Sequence, residues 1–202
     1  MKAGADSVVS IHPPNALSGI FNAARLAAQD FGQRVTVLDC GQLSLGLGYQ
    51  VILVAEAVAQ GAIREDVLSL VESIRQRVRL TALLETIQYI HRSGCASWAT
   101  AIIGGALKLQ PLIGLRHGIV QRLGQARTRL QGIQQLLELL NSWGQLERLA
   151  VLHTNAEAAA WQLLEHVRSK VVVPPMLVNV TTVIGTHVGP NGLGFVAVPA
   201  GY

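Results

Sequence analysis

The order of apolar runs in the first half of the chain restricts its fold more than any other feature. Val8-Val-Ser-Ile11, Val35-Thr-Val-Leu38 and Leu80–Leu84 are short, and the first two are rich in β-branched residues, as buried strands require. Stretches of helical character separate them at residues 18–31, 44–60 and 64–79. Ile20, Ala23, Ala24, Ala27 and Phe31 recur at helical spacing and predict an inward face. The 64–79 stretch opens with Glu65 and Asp66 and closes with Arg75, Arg77 and Arg79, the order that a helix dipole favours. Strand–helix–strand–helix–helix–strand implies a parallel sheet covered by helices. A ligand of such a sheet lies beyond the carboxyl ends of its strands. That rule places His12–Gly19 and Asp39–Ser44 at a site.

The second half reads differently. Residues 85–92 predict a short helix and 98–107 one rich in small residues. Leu109–Leu115 and Ile119–Leu123 then predict two antiparallel strands around the turn Arg116-His117-Gly118. A helix over 126–142 would turn Leu130, Ile133, Leu136, Leu137 and Leu140 inward. Arg148–His153 predicts a strand, and Asn155 the cap of a helix running to Lys170. The fold class expected is α/β in two lobes: a parallel, helix-covered sheet over residues 1–95, then a mixed or antiparallel sheet with helices over 96–202.

Thr181–Phe195 carries the densest chemistry. Its Thr and Val residues predict a strand, with Val183, Gly185 and His187 on one face and space beside the imidazole. The breaks within Gly189-Pro-Asn-Gly-Leu-Gly194 predict a hairpin returning through Phe195–Val198. His187 would then sit at its lip as a partner for a polar ligand head. Ser18 precedes a helix whose first amides are free to meet an anion, and Gly19 permits close approach of a ligand. Capping alone would also account for Ser18, and backbone contacts alone for His153.

Half of the 202 residues are hydrophobic and 14% are charged, so the chain is globular. The net charge of +4 is mild, with arginines grouped at Arg116, Arg122, Arg127 and Arg129 as a face for an acidic partner. Three Trp, three Tyr and three Phe are too few for base-stacking platforms, which argues against a nucleic-acid partner. The run Val51–Ala59 is short and holds Glu56, so no stable membrane insertion is expected. The first residues lack an apolar signal core, and Cys40 and Cys95 have no metal-type spacing; a cytoplasmic protein with two free thiols is expected. No phosphate loop, dinucleotide fingerprint, nucleophile elbow or zinc motif is present, and no base–nucleophile–orienter chain is visible.

Leu17-Ser18-Gly19, the run Val35 to Gly48, the Pro111 strand, His153-Thr-Asn155 and above all Ile184-Gly-Thr-His-Val-Gly-Pro190 with Gly194-Phe195 resemble the DegV family. That family is similar to the fatty-acid-binding subunits of bacterial fatty acid kinase. The resemblance runs from about residue 8 to the C-terminus. It implies a non-catalytic protein with no cofactor, which buries one long-chain fatty acid in an apolar tunnel. It further implies that a partner kinase phosphorylates the carboxylate. By motif, Ser18 and His187 would hold the carboxylate, with Gly19, Gly185 and Thr186 beside them. Leu45, Val51, Ile102 and Ile103 would meet the tail, and Arg116, Arg122, Arg127 and Arg129 would dock the kinase. The chain departs from the family in starting after a strand that carries a Thr-Asp-Ser-type motif. It also has Ile20 for the usual Thr, and Ser93-Gly94-Cys95-Ala96 for a Gly-Gly-Arg-Ile-type stretch. The rival reading is an enzyme related in fold to dihydroxyacetone kinases, with His187 holding a small carbonyl substrate.

Overall fold

A computed structural model describes residues 4–93 and 109–201. The expected lobe boundary near residue 95, the helix over 98–107, Cys95, Ile102 and Ile103 lie outside the described residues. The contacts divide the chain into two compact units, Met1–Arg77 with His117–Ile119, and Val78–Arg116 with Val120–Tyr202.

The first unit is α/β. Strands β1 (Val8–His12) and β2 (Val35–Asp39) pair in parallel, Val8 opposite Val35 and His12 opposite Asp39. Helix α1 (Ile20–Ala28) joins them, and α2 (Leu45–Ala59) and α3 (Arg64–Arg77) follow. Val9, Ile11 and Leu38 pack on Val54 of α2 and on Val67 and Val71 of α3. The same face holds Thr36, whose Oγ1 accepts from the Arg64 guanidinium at 2.7 Å. The inward face expected of α1 is corrected: none of its residues is buried, and Ile20 and Leu26 stay 56% and 57% exposed. A two-stranded sheet is too narrow to cover the whole apolar arc of that helix. The helix also ends at Ala28 and tightens into a 3-10 turn over Gln29–Arg34, broken by Gly32 at φ 57°. Gly61, at φ 93°, closes α2 as expected, but Ser44 makes no side-chain cap at its start.

The second unit holds a six-stranded mixed sheet in the order β5-β4-β3-β8-β6-β7. Its strands are β3 (Arg79–Leu83), β4 (Gln110–Arg116), β5 (Ile119–Ala126), β6 (Leu146–His153), β7 (Met176–Asn179) and β8 (Leu193–Pro199). Strand β3 runs antiparallel to β4 and β8, and β6 runs antiparallel to β8 and parallel to β7. The expectation that β3 extends the parallel sheet of the first half is therefore corrected. Its apolar residues mark a strand, but its partner is chosen by long-range register: Leu83 pairs with Leu112 and Leu193.

Side chains alternate across this sheet. Leu83, Leu112, Leu149, Val151, Leu193, Phe195 and Ala197 form one core with the helices α5 (Arg129–Ser142) and α6 (Glu157–Val167). Ile113, Ala150, Leu152, Val196 and Val198 alternate with them and are also buried, so the strands read as continuous apolar runs. The short helix α4 (Gln88–Arg92) lies within the expected 85–92 stretch. Thr128 caps α5 by accepting from the Gln131 amide at 3.3 Å. Leu130, expected inside, is 77% exposed, because Gly132, Leu136 and Leu140 take the core side. Helix α6 stops at Val167, before a 3-10 turn over Arg168–Lys170.

The clearest departure is α7 (Thr182–Val188), a helix where a strand was expected. The penultimate strand is instead Met176–Asn179, and it does not pair with β8; β6 lies between them. The β preference of Thr and Val amounts to less than about 1 kcal/mol per residue, which tertiary context overrides. No helix among the described residues is long and apolar enough to cross a membrane.

Candidate functional site

The carboxyl ends of β1 and β2, where the sheet rule predicts a ligand, form one polar locus. Asp39 binds both loops that leave them: Oδ2 accepts from the Asn15 amide at 2.9 Å and Oδ1 from the Gly41 amide at 2.8 Å. The Cys40 amide donates to the His12 carbonyl at 3.0 Å, and His12 Nε2 lies 2.7 Å from Ser10 Oγ. Pro14 O accepts from the amides of Leu17 and Ser18, which closes a turn ahead of α1. Asn22 of α1 donates to Asn15 Oδ1 at 2.6 Å.

Ser18 sits in that turn, half-buried, with Gly19 and Ile20 exposed beside it. Its Oγ accepts from the Ile20 amide at 3.3 Å, while Gly19 holds the N-cap position. A serine hydroxyl that accepts in this way keeps its own proton to donate to an acceptor such as a carboxylate oxygen. Gly46 and Gly48 serve packing at the start of α2. A Cβ on Gly46 would fall 2.8 Å from Gln42 Oε1, and one on Gly48 2.8 Å from Leu45 Cδ2. Leu45 is half-buried and Val51 is 42% exposed.

In the second unit, His187 stands in the last turn of α7, half-buried. Gly185 and Thr186 precede it; on a helix Gly185 and His187 do not share a face as they would on a strand. A Cβ on Gly185 would meet nothing within 4 Å, but on the helix that space does not lie beside the imidazole as the strand reading expected. Thr186 is exposed and its Oγ1 donates to Val183 O at 2.8 Å. Gly189 ends α7 at φ 78°, and its amide donates to Gly185 O at 2.8 Å.

His153, at the end of β6, is buried, and its Nδ1 accepts from the Ala156 amide at 3.2 Å. Helix α6 begins after Ala156 with no side-chain cap, so Asn155 does not fill the role expected of it. Asn155 instead adopts φ 50°, and its amide donates to Asn179 Oδ1. Thr154 carried no signal in the sequence beyond its place between these two residues. Its Oγ1 nevertheless accepts from the Gly192 amide at 2.7 Å.

The arginines differ in their surroundings. Arg116 and Arg127 are exposed. Arg122 is bonded to the Gln125 side chain. Arg129 Nη1 lies 3.8 Å from Glu85 Oε2, and burial lowers its pKa below the ordinary guanidinium value against the pull of that carboxylate. Arg127 lines an open cleft of about 560 Å³ with Leu109, Gln125, Gln131, Gln134, Gln135 and Glu138. These residues make it a polar cleft, unlike an acyl tunnel. No group of three His, Cys, Asp or Glu suited to a metal occurs among the described residues.

The DegV family model, described as an uncharacterised protein family, matches residues 1–200. A DegV domain-containing protein of Deinococcus radiodurans is 30% identical over 96% of this chain and 71% of its own length. Protein DegV of Bacillus subtilis is 31% identical over 94% of this chain and 69% of its own. Among solved structures, a fatty-acid-binding DegV family protein from Thermus thermophilus superposes with a TM-score of 0.90 at 30% identity. That match covers 98% of this chain and 73% of the other. The fatty-acid-binding protein DegV of Bacillus subtilis gives 0.81 at 28%, over 96% and 71%. Sequence and fold agree across nearly the whole of these 202 residues: the chain belongs to the DegV family.

Proposed function

We propose that this chain binds a long-chain fatty acid, with the Ser18 hydroxyl and the His187 imidazole as partners of the carboxylate. Gly19, Gly185 and Thr186 flank those two groups. Leu45 and Val51 contribute to an apolar tunnel for the tail. The single observation that carries the reading is the likeness to the fatty-acid-binding protein of Thermus thermophilus, 0.90 in TM-score over 98% of the chain. A hydroxyl and an imidazole can each donate a hydrogen bond to a carboxylate, and such charge-assisted bonds are among the stronger ones.

In this reading the protein is not an enzyme, needs no cofactor and works in the cytoplasm. It presents the carboxylate to a fatty acid kinase, which forms the acyl phosphate. The kinase docks through Arg116, Arg122 and Arg127; Arg129, held by Glu85, contributes less. Native mass spectrometry and lipid extraction of the purified protein test the first step. One fatty acid per chain is expected, with affinity falling about tenfold or more in His187→Ala, the loss of one hydrogen bond to a charged group. A protein that takes up no oleate after soaking removes the reading. Arg127→Glu with undiminished kinase binding removes the docking face.

A further inference from the structure

We infer that Thr154 is a positioning residue for His187, and that the segment His153-Thr154-Asn155 is the cradle in which α7 is held. The role of His187 as a ligand partner rests on the function proposed above; the cradle rests on geometry alone. His187 lies on a helix of seven residues, Thr182–Val188. So short a helix is not stable on its own and takes its place from what binds its two ends. Both ends are bound by the same three residues. Ahead of α7, the Val180 amide donates to His153 O at 2.9 Å and the Asn155 amide to Asn179 Oδ1 at 3.2 Å. Behind it, the Asn191 amide donates to Thr154 O at 2.7 Å and the Thr154 amide to Gly192 O at 3.1 Å. The Thr154 hydroxyl accepts from the Gly192 amide at 2.7 Å.

The last of these bonds is the only one in the set that a side-chain substitution removes without touching a main-chain partner or Asn179. It is also buried, since Thr154 is 8% exposed. A valine there keeps the shape and leaves the Gly192 N–H without an acceptor, which a buried donor does not tolerate. The turn between His187 and Gly192 is tightly fitted on a second side. A Cβ on Gly189 would lie 2.4 Å from Tyr89 Cδ2, so the aromatic ring of α4 is pressed against the backbone where α7 ends. Helix α4 packs along α7 as well. The turn thus has Thr154 as a hydrogen-bonded stop and Tyr89 as a steric one. A displacement of Gly192 would pass through five residues to the imidazole.

The test is a double-mutant cycle on delipidated protein, with oleate titrated calorimetrically and the His187 imidazole followed by NMR. Thr154→Val is expected to weaken oleate binding about fivefold or more when His187 is present, the share of a lost buried acceptor that reaches the ligand. It should change binding less than about twofold in His187→Ala, because its effect acts through that imidazole; an uncoupled effect would add and keep its full size. Thr154→Ser, which keeps the hydroxyl, should bind within about twofold of the parent. The His187 ring resonances should move in Thr154→Val and Tyr89→Leu and stay in Thr154→Ser. An equal loss with and without His187, or unmoved His187 resonances in the valine variant, overturns the positioning role. If the parent protein binds no oleate, the proposed function fails, while the ring resonances still decide whether the cradle sets His187. Should Thr154→Val not fold, Tyr89→Leu carries the same two readouts.

Discussion

Cys40 sits at the end of β2 with no exposed surface, its Sγ donating to Gln42 O at 3.1 Å and accepting from the Gln42 amide at 3.3 Å. Burial pushes its pKa up from 9.0 to about 11, against the hydrogen bonds that favour the thiolate. The fold therefore holds the neutral thiol. The stabilisation is complete below pH 9 and is lost as pH rises through about 11. Fully lost, it corresponds to about 3 kcal/mol. Urea unfolding at pH 8 and pH 10.5 should show a drop in stability about 2 kcal/mol larger in the parent than in Cys40→Ala. Equal drops would mean that the thiol is not desolvated. In Cys95→Ser protein, a thiol reagent at pH 8 should label Cys40 only as fast as the protein opens. The start of α6, which has no side-chain cap, shows how residue types mislead at this scale. Asparagine is a common N-cap, and so Asn155 drew the expectation. The sequence could not reveal that the Asn155 backbone takes φ 50° and leaves His153 Nδ1 over the Ala156 amide.

At the scale of elements, close approach of α5 to β3 turns an ordinary rule around. Replacing glycine by alanine inside an exposed helix usually stabilises it by about 1 kcal/mol. At Gly132 the added methyl would fall 2.5 Å and 2.6 Å from the Leu83 methyls, and Leu83 is fully enclosed. Gly132→Ala should instead destabilise by about 1–3 kcal/mol, the usual cost of overpacking. The same substitution in Leu83→Ala should be neutral or stabilising, because the methyl then enters space the leucine has left. Urea unfolding of the four proteins checks both signs, and additive costs would discard the close-contact account. Elements whose register and surroundings agree with their sequence are legible: β1, β2, α2, α3 and the β4–β5 hairpin follow from period and turn residues. Helix α7 is not legible in the same way. Val183, Ile184 and Val188 speak for a strand, whereas the backbone is helical, and the residues flanking it, 179–180 and 191–192, are bonded to residues 153–155. Those bonds join positions 24 to 38 apart in sequence, so no local window contains them. The motif at Gly185-Thr186-His187 marks the residues proposed for the site, but it could not supply their helical conformation.

At the scale of the molecule, the two units differ in how their backbone is shielded. In the second unit, β8 is the third strand from one end of its sheet, and Leu193, Phe195, Val196, Ala197 and Val198 are at most 1% exposed. Its neighbour β6 holds Leu149, Ala150 and Val151, equally enclosed. In the first unit no residue of β1, β2 or α1 is buried, and the apolar side chains of Ile20 and Leu26 on α1 and of Phe31 in the turn after it are exposed. Local opening follows such differences, because a segment with little buried apolar surface costs little to unfold. Hydrogen exchange followed by mass spectrometry should therefore separate the units. Peptides covering Val8–His12 and Ile20–Ala28 should exchange at least about a hundredfold faster than those covering Leu146–His153 and Leu193–Pro199. A bound fatty acid should narrow the gap if Ser18 is one of its partners, since a ligand protects the segments it requires to be folded. Exchange near residues 182–192 should slow with it if His187 is the other. Protection confined to one of these segments would reduce the carboxylate site to a single partner. Equal protection of both units in the free protein would show that the sparse burial of the first does not set its stability.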